Sequence, residues 1–248
     1  MSAGASARSV EAPADAAPAI ELRGVSRVYG HGASEVRALD NVDFSVGAGE
    51  FVALMGPSGA GKSTCLNILG CLDRPTHGQY FFQGVDVANI ERGQRALLRR
   101  HFIGFIFQGF NLLNRTTALE NVELPLIYRR VPAKERHARA KETLALVGLA
   151  GREHHTPGEL SGGQQQRVAI ARAIVTDPKL VLADEPTGNL DTAMGEEIMR
   201  LLTRLNRERG LTIVMVTHEH DIAAFAEREV VFRDGRIATD RRTPEAHA

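Results

Sequence analysis

The chain has 248 residues, 43% of them apolar, enough to fill the core of one large α/β domain or of a domain carrying an inserted lobe. Thirty basic residues balance thirty acidic ones, so the bulk electrostatic footprint of a nucleic-acid binder is absent and no nucleic acid is expected as partner. The two cysteines, Cys65 and Cys71, fall on different faces of one helical stretch and support neither a disulfide framework nor a metal site, which fits a reducing cytoplasm; no apolar run approaches the roughly 20 residues of a membrane-spanning helix.

Residues 1–19 are rich in Ala, Pro and Ser and read as a disordered tail. From residue 20 to 46 apolar residues alternate at period two (Ile20, Leu22, then Val42, Phe44, Val46), predicting a small antiparallel sheet. Tyr29 ends its first part, either as a plain strand residue or as an aromatic able to stack on a purine. A continuous apolar run, Phe51 to Met55, then predicts a buried strand, and it leads into Gly56, Pro57, Ser58, Gly59, Ala60, Gly61, Lys62, Ser63 and Thr64. This is a complete G-x-x-x-x-G-K-[ST] phosphate loop between a strand and a helix. Its glycines let backbone amides turn inward around a triphosphate, Lys62 reaches the β- and γ-phosphates, and Ser63 offers a hydroxyl to Mg²⁺. A basic helix over residues 90–101 precedes a strand over residues 102–107 that ends at Gln108, an ordinary edge residue or an amide able to bond a metal-bound or attacking water.

Residues 110–160 change character. A capping box at Thr117 to Glu120, Pro132 as the first residue of a further helix and an i,i+4 pair between Glu135 and Arg139 predict a helical lobe inserted into the α/β core. The adjacent His154 and His155 read as a solvated loop pair. Ser161, Gly162, Gly163 and Gln164 then open an apolar helix, as an N-cap after a glycine turn or as a second anion-binding helix start. One γ-phosphate has no obvious need of two such starts in one chain, whereas a second chain could use one; standing alone, the motif reads as the plain N-cap. The apolar strand from Leu180 delivers Asp184 and Glu185 at its carboxyl end, where open α/β sheets bind ligands; Asp184 would hold Mg²⁺ and Glu185 would act as general base. A loop containing Asp191 leads to a helix ended by Gly210, the strand over residues 211–216 ends at His218, and an Asp-Gly hairpin over residues 230–237 precedes a frayed tail over residues 238–248.

In order and spacing, the phosphate loop, Gln108, the Leu160-Ser161-Gly162-Gly163-Gln164 pentapeptide, the strand ending at Glu185, Asp191 and His218 resemble the nucleotide-binding domain of an ABC transporter. The resemblance covers residues 20–237 and implies a P-loop NTPase (RecA-like) core with an antiparallel β subdomain and a helical subdomain over about residues 110–160. It further implies an ATPase using ATP and Mg²⁺, with Glu185, His218 and Gln108 catalytic, Ser63, Gln108 and Asp184 around the metal, Tyr29 on the adenine and Asp191 in the loop at the dimer seam. Two copies would sandwich two ATP molecules between one chain's phosphate loop and the other's Ser161 to Gln164. Finer stretches, such as Leu66 to Thr76 and Glu120 to Pro125, look like the MacB and LolD branch, whose partner is an integral-membrane permease. The expected protein is therefore a cytoplasmic ATPase peripheral on the inner face of the membrane. It would be a stand-alone LolD-like subunit or a cassette cut from a fused MacB-like protein, serving export or lipoprotein release. The alternative is an FtsE-like ATPase that signals across the membrane without moving a substrate.

Overall fold

The computed structural model describes residues 17–30 and 32–243. A four-stranded antiparallel sheet holds β1 (Ile20–Tyr29), β2 (Val36–Val46), β4 (His77–Phe82) and β5 (Val85–Asp86) in the order β2-β1-β4-β5. A second sheet of six strands is built from β3 (Phe51–Met55), β6 (Ile103–Phe107), β7 (Leu180–Asp184), β8 (Thr212–Val216), β9 (Arg228–Arg233) and β10 (Arg236–Arg242). Its order is β10-β9-β3-β8-β7-β6, with β9, β3, β8, β7 and β6 parallel and β10 an antiparallel edge. This is the α/β core with a separate β subdomain that the patterning predicts.

The central strands are apolar without interruption because both faces are covered. Successive side chains alternate: Ala53, Val181 and Ile213 join one core, whereas Val52, Leu54, Leu182 and Val214 join the other. The first core is closed by α3 (Ala118–Tyr128), α4 (Ala133–Leu146), α5 (Gly162–Ile174) and α6 (Thr192–Arg209). The second is closed by the β subdomain and α1 (Lys62–Leu69). Each fully buried Leu, Ile or Val stabilises such a layer by roughly 1.5–3 kcal/mol.

Four expectations are corrected. Pro132 is the N-cap of α4 and Ala133 its first residue, because Pro132 takes extended backbone geometry. Phe102 closes α2 (Arg92–Phe102) and is not the start of β6. The span of about residues 110–160 expected for the lobe holds α3 and α4, which pack on α5, and α5 packs on β6, so lobe and sheet share one core. The chain past residue 237 is strand up to Arg242, paired with β9 and held by Arg228 donating twice to Asp240, 2.6 Å each. At the other end Ala19 is already buried and its carbonyl accepts from the Gln83 amide at 2.9 Å, so the fold starts before residue 20; the rest of the expected tails, residues 1–16 and 244–248, lies outside the described residues.

The Asp-Gly hairpin forms as expected, with Asp234 and Gly235 at φ 50 and 76, the left-handed pair of a tight two-residue turn. Cys65 and Cys71 are free, and burial pushes their thiols up to about 12 and about 11, which makes both poor nucleophiles.

Candidate nucleotide-binding site

The phosphate loop leaves the fully buried β3 and enters α1 through backbone that only glycine tolerates. Gly56 has φ 136, and a Cβ there would lie 2.2 Å from the Phe232 carbonyl oxygen; Gly61 has φ 105, and a Cβ would meet the Ala38 carbonyl oxygen at 2.5 Å. The N-cap of α1 is Gly61 itself, with no side chain capping the first turn, so those amides are left to a ligand. Lys62 is 8% exposed, and its ammonium donates to the carbonyls of Gly56 at 2.7 Å and Pro57 at 2.9 Å. The loop thus bends around its own cation.

A cavity of about 540 Å³ opens over the loop, lined by Ala38, every residue from Gly56 to Thr64, Glu185 and His218. The strands β3, β7 and β8 are adjacent and parallel, so their carboxyl ends deliver the loop, Glu185 and His218 to one place. Glu185 takes a left-handed backbone, φ 45, with its amide donating to the Val216 carbonyl at 3.0 Å. His218 Nδ1 lies 3.0 Å from Glu185 Oε1. Asp184 is half-buried beneath them; burial, then the Glu185 charge, raise its carboxyl above the ordinary aspartate value, while Lys62 pulls it down. Uncapped amides and one ammonium at a helix start fit a polyphosphate, and the Asp184 and Glu185 carboxylates at the end of β7 fit the cation that accompanies it.

The other expected residues lie outside this cavity. Gln108 follows β6 with its carbonyl accepting from Asn189 Nδ2 at 2.9 Å and its side chain packed on Gly188, where a Cβ would come within 2.6 Å of Gln108 Nε2. Ser161 and Gln164 form a closed capping box at the start of α5: the Ser161 hydroxyl accepts from the Gln164 amide at 3.3 Å and Gln164 Oε1 accepts from the Ser161 amide at 3.0 Å. Gly163 is buried against Met194, whose sulfur would sit 2.2 Å from a Cβ. Asp191 is the N-cap of α6 and accepts from the Met194 amide at 2.9 Å. Tyr29 donates its hydroxyl to Asp73 at 2.6 Å, and the Arg27 guanidinium stands 4.3 Å from its ring centroid. Two contributors had no sequence signal: Ala38 enters through its backbone, and Asn189 through an amide in a turn.

A glycine-rich loop between strand and helix, with acids and a histidine at neighbouring strand ends, defines a P-loop nucleoside triphosphatase. Comparison with known proteins narrows this. The profile of the ABC transporter family matches residues 39–188, and the chain belongs to that family. It is 56% identical over 227 residues to the macrolide export ATP-binding/permease protein MacB 1/2 of Paracoccus denitrificans, covering 92% of this chain and 34% of that one. It is also 52% identical to the uncharacterised ABC transporter ATP-binding protein YvrO of Bacillus subtilis, covering 92% of this chain and all of the other. A dimeric, post-hydrolysis structure of the ATP-binding cassette MJ0796 bound to ADP and Pi superimposes with a TM-score of 0.83 at 45% identity, covering 91% of this chain and 99% of that one. The chain is thus an ATPase cassette, and it spans about a third of the MacB relatives it matches.

Proposed function

We propose that this cassette energises an integral-membrane permease of the MacB or LolD kind by dimerising on ATP at the cytoplasmic face of the membrane. One observation carries the reading: Lys62, Glu185 and His218 meet over one cavity, while the helix start at Ser161 lies outside it. A single chain holds half of a shared site. The second half is the partner copy's Ser161 to Gln164, closing over the nucleotide, with Asp191 near the seam and Tyr29 beside the base. The dimeric state of the MJ0796 cassette supports this arrangement.

Ser63, Asp184 and Gln108 would hold Mg²⁺, which supplies charge neutralisation on the phosphate oxygens. The chain's own residues do the rest. Lys62 leaves the Gly56 and Pro57 carbonyls for the phosphates, Glu185 takes a proton from the attacking water, and His218 holds the Glu185 carboxylate in place. No helix among the described residues is long and apolar enough to cross a membrane, so coupling needs a docking surface. An apolar groove of about 540 Å³ between α2, β6, α3 and α5 fits a permease segment: Leu72, Phe107, Leu124, Pro125 and Tyr128 line it, and Tyr128 is 65% exposed. The exporter names of the relatives favour transport over FtsE-like signalling.

The test is Glu185→Gln. It should bind ATP, run as a dimer on size exclusion with ATP and lose turnover by about 10²- to 10⁴-fold. Wild-type turnover by this variant would remove Glu185 from the base role, and a monomer at saturating ATP would remove the shared site.

A further inference from the structure

Arg172, ten residues into α5, plays no part in the site as described, yet it makes contacts that bear on it. Its guanidinium donates from Nη2 to the Phe110 carbonyl at 2.8 Å and from Nη1 to the Asn111 carbonyl at 2.5 Å. Phe110 and Asn111 are consecutive left-handed residues, φ 61 and 51, immediately after Gln108 and Gly109. Non-glycine residues hold such backbone only where their surroundings impose it. The Gln108 carbonyl is held from the other side by Asn189.

We propose that Arg172 is a positioning residue: its planar fork locks the Phe110–Asn111 backbone and thereby sets where Gln108 stands relative to Glu185 and the phosphates. This rests on the reading of Gln108 as an active-site amide. A guanidinium holds two successive carbonyls from two nitrogens fixed in one plane; a lysine ammonium reaches two carbonyls, as Lys62 does, from a single atom on a mobile stem and without that fixed fork. Arg172 has no carboxylate partner among the described residues and burial disfavours its charge, so the two carbonyls are the acceptors that hold it. The lock also ties the two ends of α5 to the same segment: the Phe110 ring borders the helix start, 3.9 Å from a Cβ placed on Gly162, while Arg172 near the other end holds the backbone. Arg172 and Asn111 both line the apolar groove, so anything seated there presses on the lock itself.

The experiment uses the full chain with Arg172→Gln, Arg172→Lys and Gln108→Ala. Hydrogen exchange should quicken in residues 108–113 of both Arg172 variants and stay as in wild type across the phosphate loop and α1. In steady-state ATP hydrolysis kcat should fall about 10- to 100-fold in Arg172→Gln and less in Arg172→Lys, with the KM for ATP within about twofold. Combining Arg172→Gln with Gln108→Ala should cost no more than Gln108→Ala alone, since both act through one amide. Unaltered exchange at residues 108–113, exchange that quickens over the whole fold, or full additivity with Gln108→Ala would each overturn the proposal. Should Arg172→Gln not fold, Arg172→Lys carries the same readouts. If Gln108→Ala alone keeps wild-type kcat, the Gln108 reading falls, and local exchange still decides whether Arg172 is the lock.

Discussion

The chain has two glycine-rich helix starts, at α1 and α5, and they are built in opposite ways. At α1 the N-cap is Gly61, no side chain caps the first turn, and the amides open into the cavity. At α5 the Ser161 and Gln164 side chains satisfy each other's amides and the start lies outside the cavity. Each helix end carries about half an elementary positive charge. The first leaves its whole first turn uncapped, whereas the box at α5 occupies the Gln164 amide and leaves those of Gly162 and Gly163 to a ligand. An uncapped start costs stability that a ligand restores, so in the proposed dimer α1 is the half that binds first and the capped α5 the half that meets the partner copy's nucleotide.

Lys62→Ala breaks the first half. The ammonium is buried among loop carbonyls, and its removal should weaken ATP binding by about 2–5 kcal/mol, as loss of a desolvated charge contact does. Isothermal titration with ATP checks it; affinity equal to wild type would dissociate the loop from nucleotide binding. Ser161→Arg breaks the second half. It should leave ATP binding by the single chain untouched and lower turnover by about 10²-fold or more, the scale of losing donors at a transition state. Hydrolysis that persists in this variant would show α5 to be only a capped helix.

The α1 half was fully legible from residues, because the phosphate loop dictates its own backbone: Gly56 and Gly61 stand where only φ above zero fits, and the strand before them is apolar throughout. The α5 half was legible as a helix start, but no local pattern states which phosphate it serves. How the lobe joins the sheet was not legible, because α5 has one face on α3 and α4 and another on β6, and periodicity gives the face, not the neighbour. Tyr29 illustrates the same limit. Its spacing suits a purine, and the fold adds what spacing does not show: its ring meets the near neighbour Arg27, and its hydroxyl meets Asp73, 44 residues on. Arg172 was invisible for the converse reason: its acceptors are main-chain oxygens, which no sequence pattern marks.

The smallest effect concerns the acid under the cavity. Asp184 is raised chiefly by burial and next by the Glu185 charge, so the folded chain holds that proton more tightly than the unfolded chain does. Stability linked to this group is therefore fully present at pH below the ordinary aspartate value and is lost as pH rises through the raised folded value. Above that raised value the ligand-free fold carries an ionised, half-buried carboxylate that a bound cation would neutralise. Asp184→Asn removes the titration, and without nucleotide it should melt above wild type at pH 7, the difference shrinking as the pH is lowered toward 4. The order should reverse with Mg²⁺ and ATP, which stabilise wild type more than the variant because the amide gives up the metal-holding charge. Thermal melts at two pH values, with and without Mg²⁺-ATP, separate the outcomes. A ligand-free variant less stable than wild type at pH 7 would mean that the contacts of Asp184 stabilise the fold by more than its burial beside Glu185 costs.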